Sequence, residues 1–242
     1  MTDTSLQLYG SLPRQAPGSD ATTRHLYGLA GNPTGKALDI GCGQGRASLL
    51  LAEHGLDMAA VDIYQPFLHT LQAEVEARNL SAQVTTRAMS MDALDFPASS
   101  FDLLWAEGSA YILGWGNALT AWRRLLTPTG VLVATECCWL TDEPSAEIKQ
   151  FWHENYPSIL TLGEAKDIAA KSGYEITATY VLPSDDWWDE YYTPLRAQCA
   201  MHENGANDVM RSAIAAARRE IEMYENYGDQ YGYVGFVLRR VG

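Results

Sequence analysis

Residues 36–46 read Lys-Ala-Leu-Asp-Ile-Gly-Cys-Gly-Gln-Gly-Arg, a short apolar segment with one acid that meets three glycines at alternate positions and then a helical pattern. A strand that passes through such a turn into a helix is the first half of a βα unit, and sheets built from these units are mainly parallel. Gly41, Gly43 and Gly45 leave the turn without side chains, so a ligand can lie against backbone N–H groups at a helix N-terminus. Asp39, two positions before the first glycine, places a carboxylate where it can meet a positive group. The combination points to a nucleotide-like ligand with a cationic end. A dinucleotide fingerprint would be G-x-G-x-x-G, with its third glycine where Arg46 stands; the spacing here is G-x-G-x-G. The alternative is a tight strand-to-helix turn with no ligand.

The remaining chain repeats the alternation. Strands are expected at 37–41, 58–62, 83–89, 101–107, 131–137, 174–182 and 233–240, with helices near 45–54, 66–79, 117–126 and 163–172. Leu119, Trp122, Leu125 and Leu126 recur on one face, Pro128-Thr-Gly130 marks a turn, and Gly173 marks a helix stop. Two segments stand outside this pattern. Residues 1–30 form an N-terminal arm, with a helix expected after a cap at Ser19 or Asp20. Residues 183–232 form a long insertion before the last strand, ending in a helix over 208–227 where Met210, Ile214, Ala217, Ile221 and Tyr224 recur three or four apart. At 242 residues, a single domain over 1–242 is long enough to bury a substantial core.

The formal net charge of −13 argues against a nucleic-acid partner, because proteins that grip phosphates usually present a basic face. The four cysteines, Cys42, Cys137, Cys138 and Cys199, show no C-x-x-C spacing, so neither a metal site nor a redox pair is expected. No basic-then-apolar leader opens the chain, and no run approaches about 20 apolar residues. The expectation is a soluble, cytoplasmic protein without a membrane partner.

Three further features follow the glycine turn. Asp62 ends the second strand, about 20 residues past the glycines, where an acid can bind the two hydroxyls of a ribose; a helix cap is its alternative. Ile63 would offer an apolar wall to a base. In Ser90-Met91-Asp92, a carboxylate can accept from an exocyclic amine and the Met91 backbone can meet a ring nitrogen, unless Ser90 or Asp92 simply caps a helix. Phe101–Glu107 is a buried strand ending in an acid that would face the ligand crevice at the sheet's carboxyl edge, or else cap or ion-pair.

In this order the features resemble the class I S-adenosylmethionine-dependent methyltransferases, by motif over about residues 36–139 and by pattern across the rest of the sheet. The chain is similar to a group of small bacterial enzymes of largely unassigned small-molecule substrate. That likeness lies in Ala-Pro-Gly-Ser-Asp-Ala-Thr (16–22), Ala-Glu-Gly-Ser-Ala-Tyr (106–111), Glu147–Pro157 and the terminal Tyr-Gly-Tyr-Val-Gly-Phe-Val-Leu-Arg-Arg. The resemblance implies a Rossmann-like, doubly wound α/β fold with a seven-stranded, mainly parallel sheet of order 3-2-1-4-5-7-6, its seventh strand antiparallel. It implies S-adenosylmethionine as cofactor, with Asp39 at the methionine end and Gly41, Cys42, Gly43 and Gly45 approaching it closely. Asp62 would hold the ribose, Ile63, Met91 and Asp92 would border the adenine, and Glu107 would stand beside the cofactor. No Asn/Asp-Pro-Pro-Tyr/Phe motif follows the fourth strand, so the pattern for methylating adenine or glutamine nitrogen is absent.

The implied strand order locates a substrate. A parallel sixth strand exits at the ligand edge and an antiparallel seventh begins there, so residues 183–232 leave and return on the ligand side and are placed to form a lid. Within it Trp187, Trp188, Tyr191 and Tyr192 alternate with acids, a composition suited to a cationic or aromatic small molecule, or to packing the lid onto the sheet. Trp139 and Trp152 are further candidates. Glu107 and Tyr111 are the candidates for a base or orienting group. The expected reaction is methyl transfer to an amine, oxygen or thiol of a small molecule; the alternatives are a protein methyltransferase and a non-catalytic S-adenosylmethionine-binding module.

Overall fold

A computed structural model describes residues 3–241. The arm carries α1 (Asp3–Tyr9) and α2 (Asp20–Leu29). Then follow β1 (Lys36–Ile40), α3 (Arg46–Glu53), β2 (Asp57–Asp62), α4 (Gln65–Ala77), β3 (Val84–Ala88), β4 (Phe101–Ala106), α5 (Trp115–Trp122) and β5 (Leu126–Trp139). The second half contains α6 (Ala146–Asn155), β6 (Leu160–Thr161), α7 (Leu162–Lys171), β7 (Tyr174–Val181), α8 (Asp185–Trp187), α9 (Thr193–Glu203), α10 (Asp208–Tyr227) and β8 (Tyr231–Arg240).

The strands form one mixed sheet of order β3-β2-β1-β4-β5-β8-β7, with β8 antiparallel to both neighbours. This is the expected order. The expected count of seven is corrected to eight, because β5 runs two residues beyond 137 and β6 pairs with its end, Cys138 opposite Leu160 and Trp139 opposite Thr161. A two-residue strand carries no period that a sequence can display. The expected turn at Pro128-Thr-Gly130 lies inside β5 as an irregularity, where the pairing with β4 jumps from Phe101–Leu126 to Leu103–Val131.

Strands β1, β4 and β5 are almost continuously apolar because both sheet faces are covered. One face packs Trp115, Leu119 and Trp122 of α5 and Ala165 of α7 against Leu104, Leu132 and Phe236. The other packs Leu26 of α2, Leu50 of α3 and Leu71 of α4 against Leu103, Trp105 and Val133. Ser19 caps α2, its Oγ accepting from the Thr22 N–H at 3.1 Å. The helix expected over 117–126 is α5 followed by a 3₁₀ turn, Arg123–Leu125, while α1 and α6 were not anticipated.

The insertion leaves β7 and re-enters at β8 on one edge of the sheet. Its residues join the arm in a third core, where Leu8 and Leu12 pack with Trp187, Tyr192, Ile214 and Tyr231. Helix α10 spans the expected 208–227, capped by Asn207, whose Oδ1 accepts from Met210 N at 2.8 Å. Among the described residues no helix is long and apolar enough to cross a membrane.

Candidate active site

The carboxyl ends of β1, β2 and β4 open into a cleft of about 410 Å³, covered on one side by Arg14–Pro17 of the arm. Its floor is the glycine turn, whose three glycines have φ of 74°, 53° and 80°. A Cβ on Gly45 would stand 2.2 Å from Leu71 Cδ1, and one on Gly41 would stand 2.7 Å from Ser109 Cβ. Close packing of α3 on α4, and of the turn on Ser109, therefore requires the bare backbone. The N–H groups of the glycines themselves are engaged. Gly41 and Cys42 both donate to Val61 O (2.9 and 3.0 Å), Gly43 donates to Asp62 Oδ2 (2.9 Å), and Gly45 donates to Cys42 O (2.8 Å). The parallel pairing of β1 with β2 continues into the turn and engages the first two. What the glycines offer a ligand is clearance.

Asp62 follows β2 with both oxygens oriented by backbone, Oδ2 by Gly43 N and Oδ1 by Tyr64 N at 2.8 Å. Each carboxylate oxygen keeps a second acceptor position. Beside it Ile63 is 75 % exposed, an apolar side chain left bare on the cleft wall, and Met89 and Met91 line the same cleft. Asp92 does not line it: its exposed carboxylate accepts from the Ser90 hydroxyl within a turn, and no helix follows for either residue to cap. Asp39 lies deeper, almost fully buried, accepting from Ser48 Oγ at 2.6 Å. Burial raises its pKa to about 7 against the opposing effect of Ser48, and the charges of Glu107 and Asp62 push the same way. Cys42 also lines the cleft, its thiol pKa raised by burial and then by Asp39 and Asp62.

Glu107 stands on the cleft wall with every neighbour a donor. Its Oε2 pairs with Arg14 Nη1 at 3.0 Å, and its Oε1 accepts from Thr23 Oγ1 (2.7 Å) and Trp105 Nε1 (3.0 Å). Both oxygens are occupied by donors of the protein itself, which fits the orienting role better than the base. Arg14, only 7 % exposed, also pairs with Asp20 (2.8 Å) and with Glu190 of the insertion (3.0 Å). Arg46, at the start of α3, joins the same two acids at 3.0 and 3.3 Å. Sequence reasoning missed Arg14 entirely, since two of its three partners, Glu107 and Glu190, lie far away along the chain. Tyr111 lines the cleft, 45 % exposed, its ring edge-on to Tyr156 at 5.9 Å.

The four aromatic residues of the insertion sit elsewhere. Trp187, Tyr191 and Tyr192 are buried in the arm-and-insertion core, Trp187 stacked on Tyr224 at 4.3 Å, and Trp188 packs beside them under Arg196. None lines the cleft, so their expected substrate contact is corrected to a packing role. Burying large rings gains more than leaving them at a wet surface. Trp139 and Trp152 border the same core.

Residues 37–130 match a protein family described as a methyltransferase domain. The sheet order above is that of the class I fold, and the match sets a methyltransferase domain within it. The chain is 24 % identical over 188 residues to phosphoethanolamine N-methyltransferase of Plasmodium falciparum, covering 76 % of this chain and 69 % of that one. It is 25 % identical over 195 residues to malonyl-[acyl-carrier protein] O-methyltransferase of Salmonella typhimurium, covering 76 % and 73 %. It also shares its fold with the S-adenosylmethionine-dependent methyltransferase of Thiobacillus denitrificans solved with S-adenosyl-L-homocysteine, at a TM-score of 0.83 and 20 % identity over 99 % of both chains.

Proposed function

We propose that this methyltransferase transfers a methyl group from S-adenosylmethionine to a nucleophilic nitrogen, oxygen or sulfur of a small molecule. The observation that carries the reading is one cleft wall: the backbone-oriented Asp62 carboxylate directly beside the bare Ile63 side chain, with Arg14–Pro17 of the arm lining the same cleft. A carboxylate with free acceptor positions suits vicinal ribose hydroxyls, and the apolar surface of Ile63 and Met91 suits an adenine face. Asp92 borders that region from outside and is not needed there. Asp39, Gly41, Cys42, Gly43 and Gly45 would bound the methionine end, where a cationic group beside Asp39 would draw that buried carboxyl toward its charged form.

Bound there, S-adenosylmethionine would supply an electrophilic methyl group on a sulfonium. The protein's tasks are then to orient the acceptor and exclude water. Residues 1–30 and 183–232 serve the second task as one cover, tied to the wall by Arg14, Glu107 and Glu190. Tyr111, in the cleft, serves the first as a hydrogen-bond donor: burial and the charges of Glu220 and Glu136 push its hydroxyl pKa up, so it keeps its proton. A cleft of about 410 Å³ covered on one side by the arm favours a small molecule over a protein or nucleic-acid chain. The acidic balance and four unpaired cysteines fit a cytoplasmic enzyme.

The test is calorimetric titration with S-adenosylmethionine, followed by transfer of its labelled methyl group into a fractionated metabolite extract. Saturable binding and a labelled small molecule are expected. Absence of cofactor binding would overturn the reading.

A further inference from the structure

The chain of contacts at the cleft continues past Tyr111. Its ring meets Tyr156, and the Tyr156 hydroxyl donates to Glu136 Oε1 at 2.7 Å. Glu136 lies near the carboxyl end of β5, opposite Val234 of β8, and is 1 % exposed. Its second oxygen, Oε2, is buried without a hydrogen-bond partner. From the insertion, Glu220 of α10 accepts at Oε1 from Tyr192 (3.0 Å) and, more distantly, Tyr191 (3.5 Å). Among the described residues neither acid forms an ion pair.

The two acids converge. Their charges act together on the hydroxyls of Tyr111 and Tyr233, adding to burial in raising both pKa values. Tyr233 reaches the cleft's back wall, where its hydroxyl stands 4.0 Å from the position a Cβ on Gly108 would take. Two carboxylates, one from the sheet and one from the insertion, thus act on tyrosine hydroxyls beside the cleft, and among the described residues no salt bridge reaches either. A buried carboxylate with an unpaired oxygen destabilises a fold. Aromatic rings edged by acids hold ammonium groups, through the ring quadrupole and direct charge.

We propose that this tyrosine cluster behind Tyr111 is the acceptor site and that it takes a cationic amine, with Glu136 Oε2 as the ion-pair partner and Tyr111, Tyr156 and Tyr233 as the rings around it. The inference rests on reading the adjoining cleft as the methyl-donor site. Glu220 reinforces the negative potential from the insertion, which gives Tyr191 and Tyr192 an indirect part in recognition as its hydrogen-bond donors. An ammonium with an N–H must lose that proton before its nitrogen has a lone pair to offer, and Glu136 Oε2 stands to accept it.

The full chain saturated with S-adenosylhomocysteine is titrated with tetramethylammonium, and in parallel with tert-butanol as a neutral molecule of similar shape, both followed by ligand-observed NMR. Saturable tetramethylammonium binding at least tenfold tighter than that of tert-butanol is expected. Glu136→Gln should weaken it at least tenfold and Glu220→Gln about threefold, with S-adenosylhomocysteine affinity held within twofold as the sign of an intact fold. If Glu136→Gln does not fold, Glu220→Gln carries the comparison. No saturable cation binding, equal binding of the neutral molecule, or indifference to both substitutions overturns the proposal. Failure of the unsubstituted chain to bind S-adenosylhomocysteine overturns instead the donor-site reading beneath it.

Discussion

Arg14 Nη1 and Glu107 Oε2 stand 3.0 Å apart across 93 residues of chain, and that contact fastens the N-terminal arm to the end of β4 at the cleft wall. The same guanidinium reaches Glu190 in the insertion, so one side chain joins the arm, the sheet edge and the insertion. Its three carboxylate partners raise its pKa against the opposing effect of burial, so it stays charged.

Replacing Arg14 with Met leaves Glu107, Asp20 and Glu190 without their shared counter-charge. Removing one partner of a buried pair typically costs 3–5 kcal/mol; because Asp20 and Glu190 are partly exposed and Arg46 still serves them, about 3 kcal/mol is expected. Urea denaturation measures the loss. Limited proteolysis should also cut the arm sooner in Arg14→Met than in the parent chain, and an unchanged cleavage rate would mean the arm is held by Leu8 and Leu12 alone.

Asp62→Ala removes a charged acceptor from the proposed ribose and also strips Gly43 N and Tyr64 N of theirs. Hydrogen bonds to charged groups contribute about 1.5–3 kcal/mol, so S-adenosylmethionine affinity should fall roughly 10- to 150-fold. Asp92→Ala is the matched control. Its side chain faces solvent and Ser90, so calorimetry should find its affinity close to that of the parent.

The first βα unit was legible because its determinants are local: three glycines and an acid within seven residues leave few other ways to fold. Alternation showed a mainly parallel sheet, the family resemblance implied its strand order, and Asp62 followed from its spacing to the turn. What sequence could not show was the direction in which a side chain faces. Trp187, Tyr191 and Tyr192 alternate with acids in a way that reads equally as a binding wall or as a core, and their inward packing is decided by Leu8, Leu12 and α10, far off in the chain. Arg14 was silent for the same reason, since Glu107 and Glu190 lie 93 and 176 residues away. Glu136 sat unnoticed inside an apolar strand, where an acid among valines and cysteines carries no motif.

Gly45 tests the floor of the cleft independently of any ligand. Its φ of 80° disfavours a side chain, and its missing Cβ is space that Leu71 occupies. Gly45→Ala combines a left-handed backbone penalty of about 1 kcal/mol with overpacking of a further 1–3 kcal/mol. Urea denaturation should show both. Adding Leu71→Ala should recover the overpacking part, so that the double variant is less destabilised than the sum of the single ones; strict additivity would show that the clash is not the cause.

Glu136 gives stability a dependence on pH whose sign follows from its burial. In the folded chain its pKa rises from 4.5 to about 7, mainly by desolvation and against the Tyr156 hydrogen bond. Below about pH 4 the group is protonated in both states and contributes nothing to the slope. Between about pH 4.5 and 7 the folded chain holds a proton that the unfolded chain has lost, so this residue's contribution makes stability fall as pH rises, levelling off above about pH 7. At 1.36 kcal/mol per pKa unit the full effect is about 3 kcal/mol. Glu136→Gln keeps an oxygen for Tyr156 and removes the titration. It should match the parent near pH 4 and exceed it by up to about 3 kcal/mol at pH 8, measured by urea denaturation across that range. A difference that does not change with pH would mean that Glu136 titrates in the folded chain as it does in the unfolded one.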